Sequence, residues 1–342
     1  MGAELILLGH GSGGTLGHEL VRRIFLKYLG NPTLAQLEDA SLLDVSPQAL
    51  AAGARLAFTT DSYVVRPLFF PGGDIGKLAV CGTVNDLAMR GAMPLALSAG
   101  FILEEGLPVG ELERVVASMA ATACAAGVSI VTGDTKVVER GAADQLFINT
   151  AGVGLVPPDV HISAGAARPG DAILLNGAIG DHGLAVMTQR EGLRLEGALQ
   201  SDCAPLHTLV QAMLAASPEV HVLRDPTRGG LATALNEIAG QSQVGVEIDE
   251  TRVPVHAEVA AASELLGLDP LYVANEGKLI AFVPVPQAEA VLAAMRAHPY
   301  GREAVQIGAA VAEHPGRVAL RTLLGTRRLL GMLAGEQLPR IC

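Results

Sequence analysis

Short apolar runs broken by glycine-rich turns alternate along this chain with stretches whose apolar positions recur at helical spacing. After the opening run ELILLGHGSGG, the segment LGHELVRRIFLKYLG predicts a first helix that stops at Gly30, Asn31 and Pro32. The runs ARLAFTTDSYVV, KLAVCGTVNDLAMRG and PLALSAGFILEE follow. Next come a predicted helix in ELERVVASMAATACAAG and predicted strands in VSIVTGDTKVV and QLFINTAGVGLV. A second series begins with ARPGDAILLNGAIGDHGLAVM, read as turn, strand, glycine turn and helix. It continues through the helix LHTLVQAMLAA, the segment VLRDPTRGGLATALNEIA, the strand GVEID, the segment LYVANEGKLIAFVP and the helix PQAEAVLAAMRAH. Interleaved elements of this kind predict an α/β (α+β) enzyme. Pro157-Pro158 divides the two series, which predicts a glycine-rich segment and helix at 1–40, an N-terminal domain at 41–156 and a C-terminal α/β domain at 157–332. The last residues, LAGEQLPRIC, carry no amphipathic period and contain Gly and Pro, so 333–342 reads as a mobile tail.

A chain of 342 residues exceeds the size of one hydrophobic core, in keeping with two domains. Aromatics are only 3% of the chain and Trp is absent, so the core must be built from Ala, Val, Leu and Ile. The net charge of -11 argues against nucleic-acid or anionic-membrane binding, and an acidic protein would meet a nucleotide through metal ions. The opening run lacks a basic leader and reads as a strand entering a glycine loop, not a signal peptide. Val115 to Gly133 is uncharged and nearly long enough to cross a bilayer, but its first half is Ala, Ser and Thr, and Gly127 splits it into a buried helix and a strand. A cytoplasmic protein without a membrane span is expected. The cysteines 81, 124, 203 and 342 form no C-x-x-C pair, which gives zinc or iron-sulfur ligation little support; Cys81, Cys124 and Cys203 read as structural thiols in a reducing compartment.

Four features could carry chemistry. The loop Gly9-His10-Gly11-Ser12-Gly13-Gly14 lies between a strand and a helix, where backbone N–H groups can hold phosphate oxygens. Gly9, Gly11 and Gly14 satisfy the dinucleotide-binding spacing, with Glu38 or Asp39 as ribose carboxylate, but NPTLAQLEDASLLD is no β-branched second strand; the loop also lacks the Gly-Lys-Ser/Thr ending of a P-loop. Asp39, Asp61, Asp86, Asp134 and Asp225 are read as lying in turns at element ends, several directly after apolar runs, where strand ends would present them. Singly, each reads as a cap or turn former. As a group they read as carboxylates converging on one rim of a sheet, where their repulsion calls for Mg²⁺ bridging ATP phosphates. Asn275-Glu276-Gly277-Lys278 and Asp134-Thr135-Lys136 are solvated turns or, facing the nucleotide, a base in Glu276 and a phosphate-neutralising cation in Lys136. Finally, Cys342 places a thiol at the last position of the tail, with a reach of about 33–36 Å over ten extended residues. Its spacing excludes prenylation and leaves a carrier arm or an unused thiol.

These pieces together resemble the HypE family of hydrogenase maturation factors, within the superfamily of aminoimidazole ribonucleotide synthetase, selenophosphate synthetase and thiamine monophosphate kinase. The carrying residues are LGHGSGG at 8–14, the long run from TTDS to MRGA at 59–92, TGDTKVV at 132–138, RPGDAILLNGAIGDHG at 168–183, DPTRGGLATALNEIA at 225–239, NEGK at 275–278 and PRIC at 339–342. The superfamily motifs alone imply ATP-driven phosphorylation of a small acceptor; PRIC, with PLFFPGGDIGKLAV, selects the maturation family.

The resemblance implies a two-domain aminoimidazole ribonucleotide synthetase-like fold and a homodimer whose N-terminal sheets pack into a barrel-like core. It implies ATP and Mg²⁺ as cofactors. Gly9, His10, Gly11, Ser12, Gly13, Gly14, Asp61, Asn85, Asp86, Gly133 and Asp134 would bind the nucleotide, and Asp39, Asp61, Asp86, Asp134 and Asp225 the metal. Cys342 would take carbamoyl from a partner carbamoyltransferase, and its amide oxygen would be phosphorylated. Glu276, assisted by Lys136, would remove protons to leave a thiocyanate, whose cyano group passes to iron on a scaffold complex. The rivals are a superfamily enzyme phosphorylating a free small molecule, for which Cys342 is irrelevant, and a nucleotide-switched docking module.

Overall fold

The computed structural model describes residues 4–11, 15–37, 40–193, 199–333 and 340–342. The predicted first helix runs through 15–29, with a π-helical turn at Val21–Phe25. Beyond it lies an open four-stranded sheet with strand order Arg55–Tyr63, Leu146–Val156, Met93–Glu104, Ser129–Val138. The last two strands run parallel, as the helix Val109–Ala125 between them requires. KLAVCGTVNDLAMRG, for which the apolar run fixed no element, lies in the helix Ile75–Ala88; the Asp74 side chain caps it by accepting from the N–H groups of Gly76 and Lys77.

Side-chain alternation gives this sheet two unlike faces. Tyr63, Thr150 and Ala99 are buried beneath the helices, whereas Phe58 is 72% exposed and Leu56 55% on the opposite face. A single chain therefore holds an open sheet, not a closed barrel.

The C-terminal domain is a seven-stranded mixed sheet in the order Arg327–Leu330, Val318–Arg321, Gly245–Asp249, Val305–Val311, Asp171–Leu175, Ile280–Pro284, Val222–Arg224. Asp171–Leu175 is buried along its whole length, since apolar clusters cover both of its faces. One of those clusters also takes in Leu87, Ala88 and Met89 from the end of the N-terminal domain's helix, so an apolar seam joins the domains. Among the described residues, no helix is long and apolar enough to cross a membrane. Gly127 does separate a helix from a strand, but Cys124, expected as a core thiol, is exposed, because it stands on the outer side of a turn whose Ala123 and Ala126 are the buried residues.

Candidate active site

A cleft of about 390 Å³ opens where the domains meet, lined by Thr59, Asp61, Asp86, Arg90, Arg224, Asp225, Arg228, Glu276 and Cys342 among others. Asp225 stands at a strand end as expected, but Asp61 and Asp86 do not. Asp61 lies within the strand Arg55–Tyr63, and the period of two turns it toward the helices. Asp86 lies in the last turn of Ile75–Ala88, and its Oδ2 accepts a 2.8 Å bond from the Thr59 hydroxyl. Asp225 follows the strand Val222–Arg224 directly.

Crowded carboxylates in a partly dry cleft raise one another's proton affinity. Burial and the neighbouring Asp86 push Asp225 up to about 7. Burial, with Asp61 beside it, also raises Asp86. Glu276 is 4% exposed, and burial followed by the charges of Asp225, Asp202 and Asp61 pushes its carboxyl well above the usual range.

Buried polar contacts set the position of Glu276. Asn85, predicted to touch the nucleotide, is 1% exposed and joins the domains: its amide donates to the carbonyls of Ala204 at 3.0 Å and Glu276 at 3.2 Å, and its oxygen accepts from Leu206 N–H at 2.7 Å. From the other side Asp202 accepts the N–H groups of Glu276 at 3.1 Å and Gly277 at 3.2 Å, and pairs with Lys278 at 3.2 Å. Burial alone would raise Asp202, but the Lys278 charge and these bonds outweigh it and hold the carboxyl low. The Gly277 site is too tight for any side chain, because a Cβ would fall 1.9 Å from the Asp202 carbonyl oxygen.

Cys342 enters the cleft from the far end of the sequence. Burial, then the Glu276 charge, pushes its thiol up to about 12, so the seated sulfur is a neutral thiol. Its backbone lies beside the segment after Arg55–Tyr63, where Val64 N–H donates to the Cys342 carbonyl at 3.2 Å and Arg66 N–H to that of Arg340 at 3.2 Å.

The remaining predicted residues lie elsewhere. Gly100 pairs with Asp134 and Ile102 with Lys136, which places both polar residues on the sheet's open face, opposite to Asp61 and three strands away, about 14 Å at ordinary strand spacing. There Asp134 and Lys136 form a 3.3 Å ion pair and, with His10, Gly11 and Gly133, line a second cleft of about 440 Å³. Gly11 is backed against the other strand edge, where a Cβ would meet the Val137 nitrogen at 2.6 Å. Gly9 belongs to the short helical turn Leu8–Gly11. Ser12, Gly13, Gly14 and Asp39 lie outside the described residues. The single chain thus assembles Asp61, Asp86, Asp225, Glu276 and Cys342 but does not bring Asp134 to them, and among the described residues no group of three or more potential ligands is already arranged for a metal ion.

Sequence reasoning missed Arg90, Arg224 and Arg228 as the cations of the main cleft, Asp202 as the buried support of Glu276, and His182 and Asp144 as contacts of the tail. Arg228 sits in the quoted motif DPTRGG and could have been found by its spacing from Asp225; Asp202, in QSDCAPLH, carries no motif.

Two α/β domains meeting at a cleft where carboxylates face arginines define a class built to handle phosphate. Residues 37–156 match the family described as AIR synthase related protein, N-terminal domain, and residues 168–321 match its C-terminal domain. Carbamoyl dehydratase HypE of Azotobacter vinelandii is 56% identical over 97% of this chain and 96% of its own length. A crystal structure of hydrogenase maturation protein HypE in complex with ATP superposes with a TM-score of 0.93 at 54% identity, covering 98% of this chain and 99% of that one. A HypE–HypF complex superposes with a TM-score of 0.79 at 46% identity, covering 94% of this chain and 100% of that one. The chain belongs to the HypE family of AIR synthase related proteins.

Proposed function

We propose that this protein uses ATP to dehydrate a carbamoyl group carried on Cys342, leaving a protein thiocyanate whose cyano group becomes the cyanide ligand of a nickel-iron hydrogenase centre. One observation carries the reading within the family: the thiol of the last residue sits in the same cleft as Glu276, Asp61, Asp86 and Asp225. A metabolite kinase would have no use for a thiol there.

An amide oxygen leaves only after activation. The carbamoyl oxygen attacks the γ-phosphorus of ATP and displaces ADP, giving an O-phosphorylated imidate on sulfur. The two N–H protons leave in succession, the C–O bond breaks, phosphate departs and S–C≡N remains. Glu276 is the acceptor we assign to the nitrogen protons, because burial among acidic neighbours makes its carboxylate unusually basic. Arg90, Arg224 and Arg228 offer positive charge to the phosphates at the cleft wall. The hard oxygens of Asp61, Asp86 and Asp225, with the raised proton affinity of Asp86 and Asp225, suit Mg²⁺, which would offset the charge of the transferring phosphoryl group. Gly9, His10, Gly11, Ser12, Gly13 and Gly14, with Asn85 and Gly133, complete the proposed nucleotide set, and Asp39 and Asp134 the metal set.

The apolar open face supports the homodimer. A second copy covering Leu56 and Phe58 would close the two sheets into a barrel-like core and face Asp134 and Lys136, so we assign these two to the neighbouring protomer's site. In this reading 41–156 binds nucleotide and dimerises, 157–332 completes the cleft, and 333–342 carries cargo. A partner carbamoyltransferase loads Cys342, a role supported by the HypF complex of the relative, and an iron-carrying scaffold accepts the cyano group. Four unpaired cysteines suit a reducing cytoplasm.

The mass of the C-terminal peptide tests this. Incubation with the carbamoyltransferase system should add one carbamoyl at Cys342, and ATP should then remove one water. Glu276→Gln should still load but dehydrate at least about a hundredfold more slowly. ATP turnover onto a free metabolite after loss of Cys342 would overturn the assignment.

A further inference from the structure

Each of the last three backbone carbonyls has its own donor, and the donors come from both domains. Arg190 gives Nη2–H to the Arg340 carbonyl at 2.7 Å, His182 faces the Ile341 carbonyl with Nε2 at 3.0 Å, and Val64 N–H meets the Cys342 carbonyl at 3.2 Å. His182 and Arg190 stand near the two ends of one helix, Asp181–Arg190. The ring's tautomer follows from its neighbours. Ser201 Oγ accepts Cys203 N–H at 3.1 Å and lies 2.8 Å from His182 Nδ1, so the hydroxyl donates to Nδ1 and the proton on Nε2 points at the tail. Phe70 packs edge-on against the ring with centroids 5.4 Å apart, and His182 is fully buried.

The side chains are held as well. Arg340 Nη1 pairs with Asp144 at 2.5 Å and its Nε donates to the Val64 carbonyl at 3.0 Å, while Ile341 is 3% exposed in the N-terminal domain's core. Arg340 takes a left-handed backbone, φ +54°, which a side-chain-bearing residue holds only when its surroundings impose it.

We propose that His182, Arg190 and Asp144 form a receptor for the docked tail, fixing how deep the Cys342 sulfur sits and dividing its time between two half-reactions. Loading needs the thiol outside, and dehydration needs it inside. The three are positioning residues: they act on the reacting group through the backbone of 340–342. The proposal rests on the dehydration reading above, but docking itself is measurable without it.

The experiment uses the full chain and reads, by mass spectrometry of the C-terminal peptide, how fast iodoacetamide alkylates Cys342. Asp144→Ala, Arg190→Ala and His182→Leu should each speed alkylation about tenfold, the loss of one charge-assisted or buried hydrogen bond, whereas His182→Gln, whose amide can still donate to the Ile341 carbonyl, should stay near the parent rate. With the carbamoyltransferase and ATP, the weakened variants should load faster and dehydrate more slowly. Unchanged alkylation across the three, or loading and dehydration slowed together, overturns the receptor. Should His182→Leu fail to fold, Asp144→Ala, on a partly exposed loop, decides alone. If the parent protein never forms a nitrile but alkylation still rises in the variants, the function falls and the receptor stands.

Discussion

Individual side chains in this protein owe their chemistry to neighbours distant in sequence. His182 is an imidazole between Ser201 and Ile341, and burial holds its affinity for a proton below the ordinary value. The sign of the pH effect follows. Below about pH 6.5 an unfolded chain protonates this ring while the folded chain does not, so stability is retained at neutral pH and lost as pH falls through that value toward the depressed folded one. The parent's urea midpoint should therefore lose ground to that of His182→Gln as pH falls from about 7.5 to about 5, because the raised carboxyls of Asp225 and Glu276, which act with the opposite sign, are common to both. His182→Gln should remove up to about 1.4 kcal/mol per pH unit of that slope, because one proton no longer changes hands. An identical slope in parent and variant would show that the ring is freely protonated in the fold. Glu276 was legible as a candidate base from the charged break NEGK, but the support of Asp202 and Asn85 was not, since neither contact has a fixed sequence separation.

At the level of elements, the turn Asn275 to Lys278 shows why glycine is required at one place. Gly277 lies against the Asp202 carbonyl, and that same residue's carboxylate accepts the N–H groups of Glu276 and Gly277. Gly277→Ala should cost about 1–3 kcal/mol in thermal or urea unfolding, as forced overpacking does. It should also lower dehydration in the C-terminal peptide assay, because the turn must shift to make room and Glu276 moves with it. Loss of stability with full dehydration would separate the turn from the chemistry. Most elements were legible: the helix stop at Gly30, the break at Gly127 and the strand Gly245–Asp249 each follow from local periodicity and punctuation. The aspartates were misplaced by their polar surroundings. TTDS read as a turn yet lies within a strand, since pairing across the sheet satisfies its backbone whatever the local propensity, while TGDT lies within the strand expected for VSIVTGDTKVV.

At the scale of the whole molecule, the open sheet face carrying Phe58 and Leu56 is left uncovered. Phe58→Glu should convert a dimer to monomers in sedimentation and abolish dehydration, if the neighbour supplies Lys136 as assigned. Complementation gives an independent check. Lys136→Ala and Cys342→Ala should each be inactive alone, and mixed dimers should recover one working site, with the nitrile found only on chains that keep Cys342. No recovery on mixing would place Lys136 outside the neighbour's cleft. Monomeric behaviour of the parent protein would remove the dimer assignment altogether.

By itself the sequence determined the alternating elements and the residue types the proposed chemistry needs: scattered aspartates, Glu276 and the thiol of Cys342. Each of those is written in local pattern or in a motif. Only the tertiary structure decided which of them meet. Strand pairing and the period of two sent Asp61 to the covered face and Asp134 and Lys136 to the open one, and the apolar seam between the domains brought Glu276 and Asp86 into one cleft. The final residues read as a free arm because they have no amphipathic period, yet their carbonyls are held by donors from both domains. Backbone acceptors are the same in every residue, so no sequence pattern could have announced where the tail would dock.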